Sequence, residues 1–232
     1  IQLFIKLFQE AAGAAEPVPS AAPAASAKAT RTPDPAPPAQ AAPPPARQRA
    51  EKFSIIYSYA THAGTRLSVN ADSLFVSRKP AIFAIADGLG DGQGGAEAAR
   101  LTTNILADMA AGGESEFDPQ TIRAKLGTVN SLLLSRHTGE GAMRPAASVV
   151  TASIIAQTLT VLWAGDARAY LLKDGTMHPL TRDHVVVGMK KQLSQCVGHS
   201  QQFRPDVISD EWNASDRLLL CSFPLVQQLK ER

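Results

Sequence analysis

An apolar segment that ends in an acidic residue and a glycine-rich loop constrains this chain more than any other feature. Residues 82–86 are apolar, Asp87 follows them, and residues 88–95 contain five glycines. An unpaired carboxylate is costly to bury, and glycine lets the backbone bend sharply and approach a ligand closely. The pattern therefore predicts a buried strand that presents Asp87 at its tip, beside a loop suited to an ion or a phosphate. A plain Asp-Gly turn is the alternative that this segment alone leaves open.

Composition narrows the class of partner and the compartment. The 232 residues include 23 basic and 21 acidic side chains, for a net charge of +2. No basic stripe interleaved with aromatic residues is present, so the sequence does not favour nucleic acid. Cys196 and Cys221 lie far apart without a CxxC pattern. They fit a reducing compartment, the cytoplasm, better than a disulfide framework or a zinc site.

The beginning of the chain combines a short apolar segment with a proline-rich tether. Residues 1–9 are apolar but too short to span a bilayer, so residues 1–16 are interpreted as an N-terminal remnant whose association with a membrane is undecided. Ten of the sixteen prolines lie in residues 17–47, where they oppose helix and sheet. We expect a disordered linker over residues 17–50, with an SH3-type ligand at residues 35–38 as the less favoured alternative.

The pattern of residues 51–232 predicts one domain of the α+β class. Helices are expected over about residues 96–109 and from Pro119, which follows a capping Asp118, to about Ser135. Predicted strands are residues 53–60, 72–76, 81–86, 148–156, 159–163, 168–173, 176–180 and 217–222. Because strands precede two helices and then form a meander, the order argues against repeated βαβ units.

Four segments in this domain share their order and spacing with a known family. They are residues 86–90 (Ala-Asp-Gly-Leu-Gly), 161–170 (Val-Leu-Trp-Ala-Gly-Asp-Ala-Arg-Ala-Tyr), 171–175 (Leu-Leu-Lys-Asp-Gly) and 180–184 (Leu-Thr-Arg-Asp-His). Together they resemble the PPM (PP2C-like) family of metal-dependent protein serine/threonine phosphatases, its bacterial branch in particular. The resemblance covers about residues 53–225. It implies a central antiparallel β-sandwich with a helical pair on each outer side.

The resemblance also implies a chemistry and a set of residues. Two Mn2+ or Mg2+ ions would be held by carboxylates at one end of the sandwich, for hydrolysis of phosphoserine or phosphothreonine. The partner would be a phosphoprotein substrate or a cognate kinase. Asp87 matches the aspartate that bridges the metals, and Gly88 matches the residue that supplies a backbone carbonyl. Asp72 and Asp166 match further metal-binding aspartates, and Arg66 is the candidate phosphate contact, one position out of register.

The departures from the family pattern fall on the metal ligands. Ala71 stands where the family has a metal-binding Glu, and Phe223 stands where it has an Asp after a serine. The family's closing strand and last ligand would lie beyond Arg232, so we expect an unpaired edge or a gap in one sheet. Two adjacent divalent ions need several anionic ligands, so we expect weak or absent metal binding. The alternative function is therefore an impaired pseudophosphatase that binds and regulates a phosphoprotein or kinase.

Two further motifs have simpler interpretations. We expect Asp183 and His184 to form a structural turn pair, because no recognisable nucleophile elbow adjoins the histidine. Residues 90–95 satisfy G-x-G-x-x-G, which is typical of dinucleotide binding. However, Asp87 and Asp91 would repel a pyrophosphate, and no second βαβ unit follows. A role for Asp166 as the cap of a turn stays open beside its role as a metal ligand.

Overall fold

The computed structural model describes residues 2–11, 53–63, 69–90, 92–112, 118–136 and 144–228. The predicted linker over residues 17–50, with its SH3-type alternative, lies outside the described residues. The same holds for Arg66 and Asp91.

Two antiparallel sheets face each other at the centre of the described part of the chain. The first sheet contains β1 (Gln2–Ala11), β2 (Phe53–His62), β7 (Arg168–Lys173), β8 (Thr176–Pro179) and β12 (Arg217–Cys221). The second contains β3 (Asp72–Arg78), β4 (Ala81–Gly88), β5 (Ala147–Ile155), β6 (Thr158–Ala164) and β11 (Asp206–Glu211). The strand orders are β2-β1-β12-β7-β8 and β11-β6-β5-β4-β3. A separate hairpin of β9 (Val185–Val186) and β10 (Met189–Leu193) follows the meander.

The apolar core has two layers on either side of the second sheet. Phe83 and Ile85 of β4 face the first sheet, whereas Ile82, Ala84 and Ala86 face the helices. Alternate residues of a strand point to opposite faces. Because β4 is buried on both faces, its sequence is a continuous apolar run up to the acidic residue at its end.

Two helices cover the outer face of the second sheet, α1 (Gln93–Ala111) and α2 (Pro119–Ser135). The Asp118 carboxylate accepts the backbone N–H groups of Gln120 and Thr121, which confirms the predicted start of α2. The predicted apolar stripe of α2 is buried: Ile122, Leu126, Val129 and Leu133. Within the described residues, no helix combines the length and apolar character needed to cross a bilayer.

A short helix, α3 (Phe223–Gln228), packs on the outer face of the first sheet. Its Val226 joins Tyr170 and Cys221 in a small apolar cluster. The α+β class and the layered helix–sheet–sheet–helix arrangement are therefore confirmed. The expected pair of helices on this side is represented, among the described residues, by α3 alone.

The N-terminal strand β1 differs most from what the sequence led us to expect. We interpreted residues 1–16 as a remnant outside the domain, yet residues 2–11 lie between β2 and β12 and are hydrogen bonded to both. β2, β1 and β12 are therefore continuous neighbours in this sheet. Local sequence did not reveal this because the partner strand β12 lies some two hundred residues further along the chain.

Candidate metal centre

Strand register brings three aspartates to one end of the second sheet. Asp72 is the first residue of β3 and lies directly opposite Asp87, near the end of β4. Asp87 in turn lies opposite Ser148, at the start of β5. The last residue of β6, Ala164, pairs with Val149, and Asp166 comes two residues later in the chain. Neighbouring strands of an antiparallel sheet run in opposite directions, so the first residue of one strand lies beside the last residue of the next.

Asp72 and Asp87 form a buried carboxyl pair. The two side chains are directly opposite each other in the β3–β4 pairing, so their carboxyl groups interact. Burial raises the pKa of Asp87 well above its usual range, and the negative charge of Asp72 raises it further. Burial also raises the pKa of Asp72.

The end of β12 closes over this carboxyl pair. The Ser222 hydroxyl donates to Asp72 Oδ2 over 3.3 Å, and the backbone N–H of Phe223 donates to the Asp87 carboxylate. The second sheet supplies the carboxylates, and the first sheet supplies these donors. The candidate site is therefore built across the end of the sandwich.

Asp166 is held beside the pair by a tight loop between β6 and β7. The backbone N–H groups of Asp166 and Ala167 donate to Ser148 Oγ over 2.8 and 2.7 Å. Gly165 has a φ of +119° and lies so close to Ser148 that a side chain there would collide with it. Burial, followed by the charge of Asp87, raises the pKa of Asp166 to about 6. The three carboxyl groups therefore share one electronegative region.

Gly88 brings the start of α1 against the end of β4. A Cβ at Gly88 would collide with the carbonyl of Gly95 and would lie 2.7 Å from the carbonyl oxygen of Ala71. The Gly88 N–H donates to that same Ala71 carbonyl over 3.1 Å. The Ala71 methyl is buried beside this contact and offers no oxygen to an ion. Only glycine at position 88 permits this approach.

The three aspartates match the donor chemistry of a hard divalent cation only in part. Asp72 Oδ1 and Asp166 Oδ1 are buried oxygens without a hydrogen-bond partner, which is the state expected of carboxylates shaped for a cation. Nevertheless, no group of three His, Cys, Asp or Glu side chains in the described ranges is arranged to hold a metal ion. The Phe223 N–H also directs a positive dipole at Asp87. The residues described therefore supply fewer acidic ligands than the pair of ions implied by the resemblance needs.

Of the predicted site residues, the structure brings Asp72, Asp87, Gly88 and Asp166 together, and Arg66 lies outside the described residues. Sequence analysis missed Ser148 and Ser222, which position the carboxylates. Neither serine stands in a motif of its own, and a backbone donor such as the Phe223 N–H leaves no residue-type signal. Their roles follow only from the register of the two sheets.

Asp183 and His184 each contact a residue of a neighbouring segment. Asp183 forms a two-point ion pair with Arg168, at 2.7 Å to Nε and 2.8 Å to Nη2. His184 Nδ1 accepts the Gly165 N–H over 3.1 Å, and its Nε2 lies 3.1 Å from Asp206 Oδ2. The imidazole also stacks on Trp163, with ring centroids 6.1 Å apart. These contacts anchor the loop that carries Asp166.

Comparison with known proteins shows a resemblance to one phosphatase family. Residues 75–187, which include β4, both long helices and the Asp166 loop, match the family model described as Protein phosphatase 2C. This central segment of the chain resembles the protein phosphatase 2C family. A relative is the serine/threonine phosphatase stp of Listeria welshimeri, 25% identical over 172 residues that cover 65% of this chain and 68% of that protein.

Solved structures show that the fold of this domain is a known one. PppA, described as a key regulatory component of T6SS in Pseudomonas aeruginosa, superimposes with a TM-score of 0.68 at 22% identity, over 74% of this chain and 78% of that one. The catalytic domain of serine threonine protein phosphatase PstP, solved with two manganese ions, gives a TM-score of 0.61 at 24% identity, over 74% and 79% of the two chains. At these identities, the likeness establishes the fold alone.

Proposed function

We propose that this chain is a metal-dependent protein serine/threonine phosphatase domain of low activity. The observation that carries the proposal is the buried cluster of Asp72, Asp87 and Asp166, two of whose oxygens lack any hydrogen-bond partner. A divalent cation there would satisfy these oxygens and offset the negative charge of the three carboxyl groups. In two-metal phosphatases the ions supply a nucleophilic water and offset charge on the phosphoryl group.

The chain's own residues would hold and orient such ions. Asp72, Asp87 and Asp166 would supply carboxylate oxygens, and the backbone carbonyl of Gly88 would add one more. Ser148 would fix the position of Asp166 through the two backbone bonds to its hydroxyl. Mn2+ or Mg2+ is the expected cation, and Arg66 is the expected contact of the substrate phosphate.

The substrate class follows from the family. The listeria relative carries the name serine/threonine phosphatase, and we infer a phosphoserine or phosphothreonine protein, such as a cognate kinase, as the substrate here. Cytoplasmic location agrees with the two buried cysteines, which form no disulfide.

A pseudophosphatase is the second candidate, and two observations favour it. The buried methyl of Ala71 takes the place of an acidic ligand, and the Phe223 N–H is bonded to Asp87 where a further carboxylate is expected. Missing ligands leave the charge of a second ion without compensation, which weakens binding and turnover. In that case the domain would bind a phosphoprotein or kinase without hydrolysing it.

Calorimetric titration of Mn2+ followed by a phosphopeptide hydrolysis assay separates the two functions. The phosphatase is expected to bind Mn2+ and to release phosphate, and Asp87→Asn is expected to abolish both. Asp210→Asn, on the exposed strand β11, is the matched control that should change neither. Phosphopeptide binding without Mn2+ uptake or turnover would establish the pseudophosphatase, and turnover that survives Asp87→Asn would contradict both versions of the site.

A further inference from the structure

The loop that carries Asp166 is held by two side chains from outside it. Residues 165–167 lie between β6 and β7 and belong to neither strand. The Gly165 N–H donates to His184 Nδ1 over 3.1 Å, and the His184 N–H donates back to the Gly165 carbonyl over 2.9 Å. The N–H groups of Asp166 and of the residue after it donate to Ser148 Oγ over 2.8 and 2.7 Å. Ser148 and His184 together therefore set the position of Asp166.

The hydrogen bonds of His184 define which of its ring nitrogens carries the proton. Because Nδ1 accepts the Gly165 N–H, that nitrogen carries no proton. Nε2 lies 3.1 Å from Asp206 Oδ2, and an ionised carboxylate can only accept a hydrogen bond. Nε2 therefore carries the proton and donates it to Asp206. The bond that one nitrogen makes thus fixes the role of the other.

Packing also fixes the His184 ring. The imidazole stacks on Trp163, with the two ring planes 9° from parallel. Trp163 is itself buried between the sheets, and its Nε1 donates to the Arg182 carbonyl over 2.8 Å. Trp163 also lies opposite Asp206 in the pairing of β6 with β11. One pair of strands therefore supplies both the surface under the ring and the carboxylate at its edge, and the ring has little freedom to turn away from Gly165.

Asp166 needs this support because its carboxyl group lies among like charges. Burial, together with the charges of Asp87 and Asp183, raises the pKa of Asp166, so the ionised group is repelled by its neighbours. We propose that His184 is a positioning residue for Asp166: its Nδ1 atom accepts the Gly165 N–H and so holds the Asp166 carboxyl group in the candidate metal centre. The effect on metal binding rests on the proposed function, whereas the hydrogen bond itself does not.

Two substitutions of His184 separate this role from simple packing. In His184→Asn the side-chain oxygen takes the place of Nδ1, because both atoms are bonded to Cγ, and an acceptor for the Gly165 N–H is kept. In His184→Leu a methyl group stands there and the acceptor is lost. Both variants lose the stacking on Trp163, so a role in packing alone predicts similar effects. We expect His184→Leu to weaken Mn2+ binding in calorimetry by about 10- to 100-fold, as for other residues that orient a metal ligand, and His184→Asn to stay near the parent.

NMR of the metal-free protein provides a second measurement that needs no bound ion. In EDTA we expect the N–H groups of Gly165 and Asp166 to exchange with solvent faster in His184→Leu than in the parent, and to keep their protection in His184→Asn. The ring nitrogens of His184 should show Nδ1 unprotonated and Nε2 protonated in the parent. His178→Leu, on the exposed strand β8, is the matched control that should change none of these results.

Equal effects of His184→Leu and His184→Asn on Mn2+ affinity would overturn the proposal, and so would a proton on Nδ1 in the parent. If the parent binds no Mn2+, the proposed function fails, and hydrogen exchange alone then decides the positioning role. Faster exchange of the Gly165 and Asp166 N–H groups in His184→Leu alone would support that role. The same exchange rates in both variants would overturn it.

Discussion

At the scale of single residues, the absence of an acid at position 71 is the change that most limits metal binding. Ala71→Glu places a carboxylate next to Gly88 and the Asp72–Asp87 pair, where the Ala71 carbonyl already contacts the end of β4. We expect it to tighten Mn2+ binding and raise phosphopeptide turnover by about tenfold or more, because a missing anionic ligand is restored. Calorimetry and the hydrolysis assay measure the two effects.

Ala71→Gln is the matched control for that substitution, because it has the same size without the charge. Position 71 is buried, so both variants carry a similar packing cost. Equal effects of Glu and Gln on Mn2+ affinity would show that the charge at this position is irrelevant to the site.

Asp166 gives the metal-free domain a characteristic dependence on pH. Because its pKa is raised from 3.8 to about 6 in the folded state, folding retains a proton. Its contribution to stability is thus complete below pH 3.8 and is lost as the pH rises to about 6. The loss of unfolding free energy amounts to roughly 3 kcal/mol at most. We expect it to be absent in Asp166→Asn when thermal unfolding is measured in EDTA between pH 4 and 7.5.

Asp118 supplies the control of opposite sign. Its pKa is lowered by hydrogen bonds from Thr121 at the start of α2, so its contribution is present above the ordinary pKa and is lost as the pH falls. Asp118→Asn keeps an N-cap oxygen. It should therefore lose stability between pH 4 and 6 to the same extent as the parent. An Asp166→Asn variant that melts below the parent at pH 7 would contradict the burial of this carboxyl group.

At the scale of secondary-structure elements, the junction of β4 and α1 requires glycine where the two backbones touch. A methyl at Gly88 would strike the Gly95 and Ala71 carbonyls, whereas nothing lies within 4 Å of a methyl at Gly92. We therefore expect Gly88→Ala to cost about 2–4 kcal/mol and to weaken Mn2+ binding through displacement of Asp87. Gly92→Ala, in the same loop, should be nearly neutral; a similar loss in both variants, by urea unfolding, would refute the contact.

The same elements show which parts of the structure the sequence can predict. α2 was predicted at both ends, because its cap, its first-turn proline and its apolar stripe are all local signals. α1 begins at Gln93 rather than about residue 96, since glycines carry no helical signal. β11 was missed because its six side chains are all exposed and lack apolar alternation. The aspartates came from family motifs, but the acceptor Ser148 and the donor Phe223 depend on tertiary register alone.

At the scale of the whole molecule, the two sheets share one core, and β1 decides whether the first sheet is continuous. Both tryptophans, Trp163 and Trp212, lie in the cluster between the sheets, so their fluorescence follows the sandwich as a unit. Ile5 is paired on both sides, with Tyr59 of β2 and Leu220 of β12. Proline there removes a ladder hydrogen bond from an interior strand.

We therefore expect Ile5→Pro to lower the free energy of unfolding by about 3 kcal/mol or more, in a single fluorescence transition in urea. Ala41→Pro, in the proline-rich segment, adds the same ring outside the described strands and should change stability little. If both variants unfold like the parent, residues 2–11 contribute nothing to the sheet, and the domain would have to be stable with β2 and β12 apart. A loss confined to Ile5→Pro instead places the N-terminal strand inside the cooperative core, where its pairing also supports the strand that closes over Asp72 and Asp87.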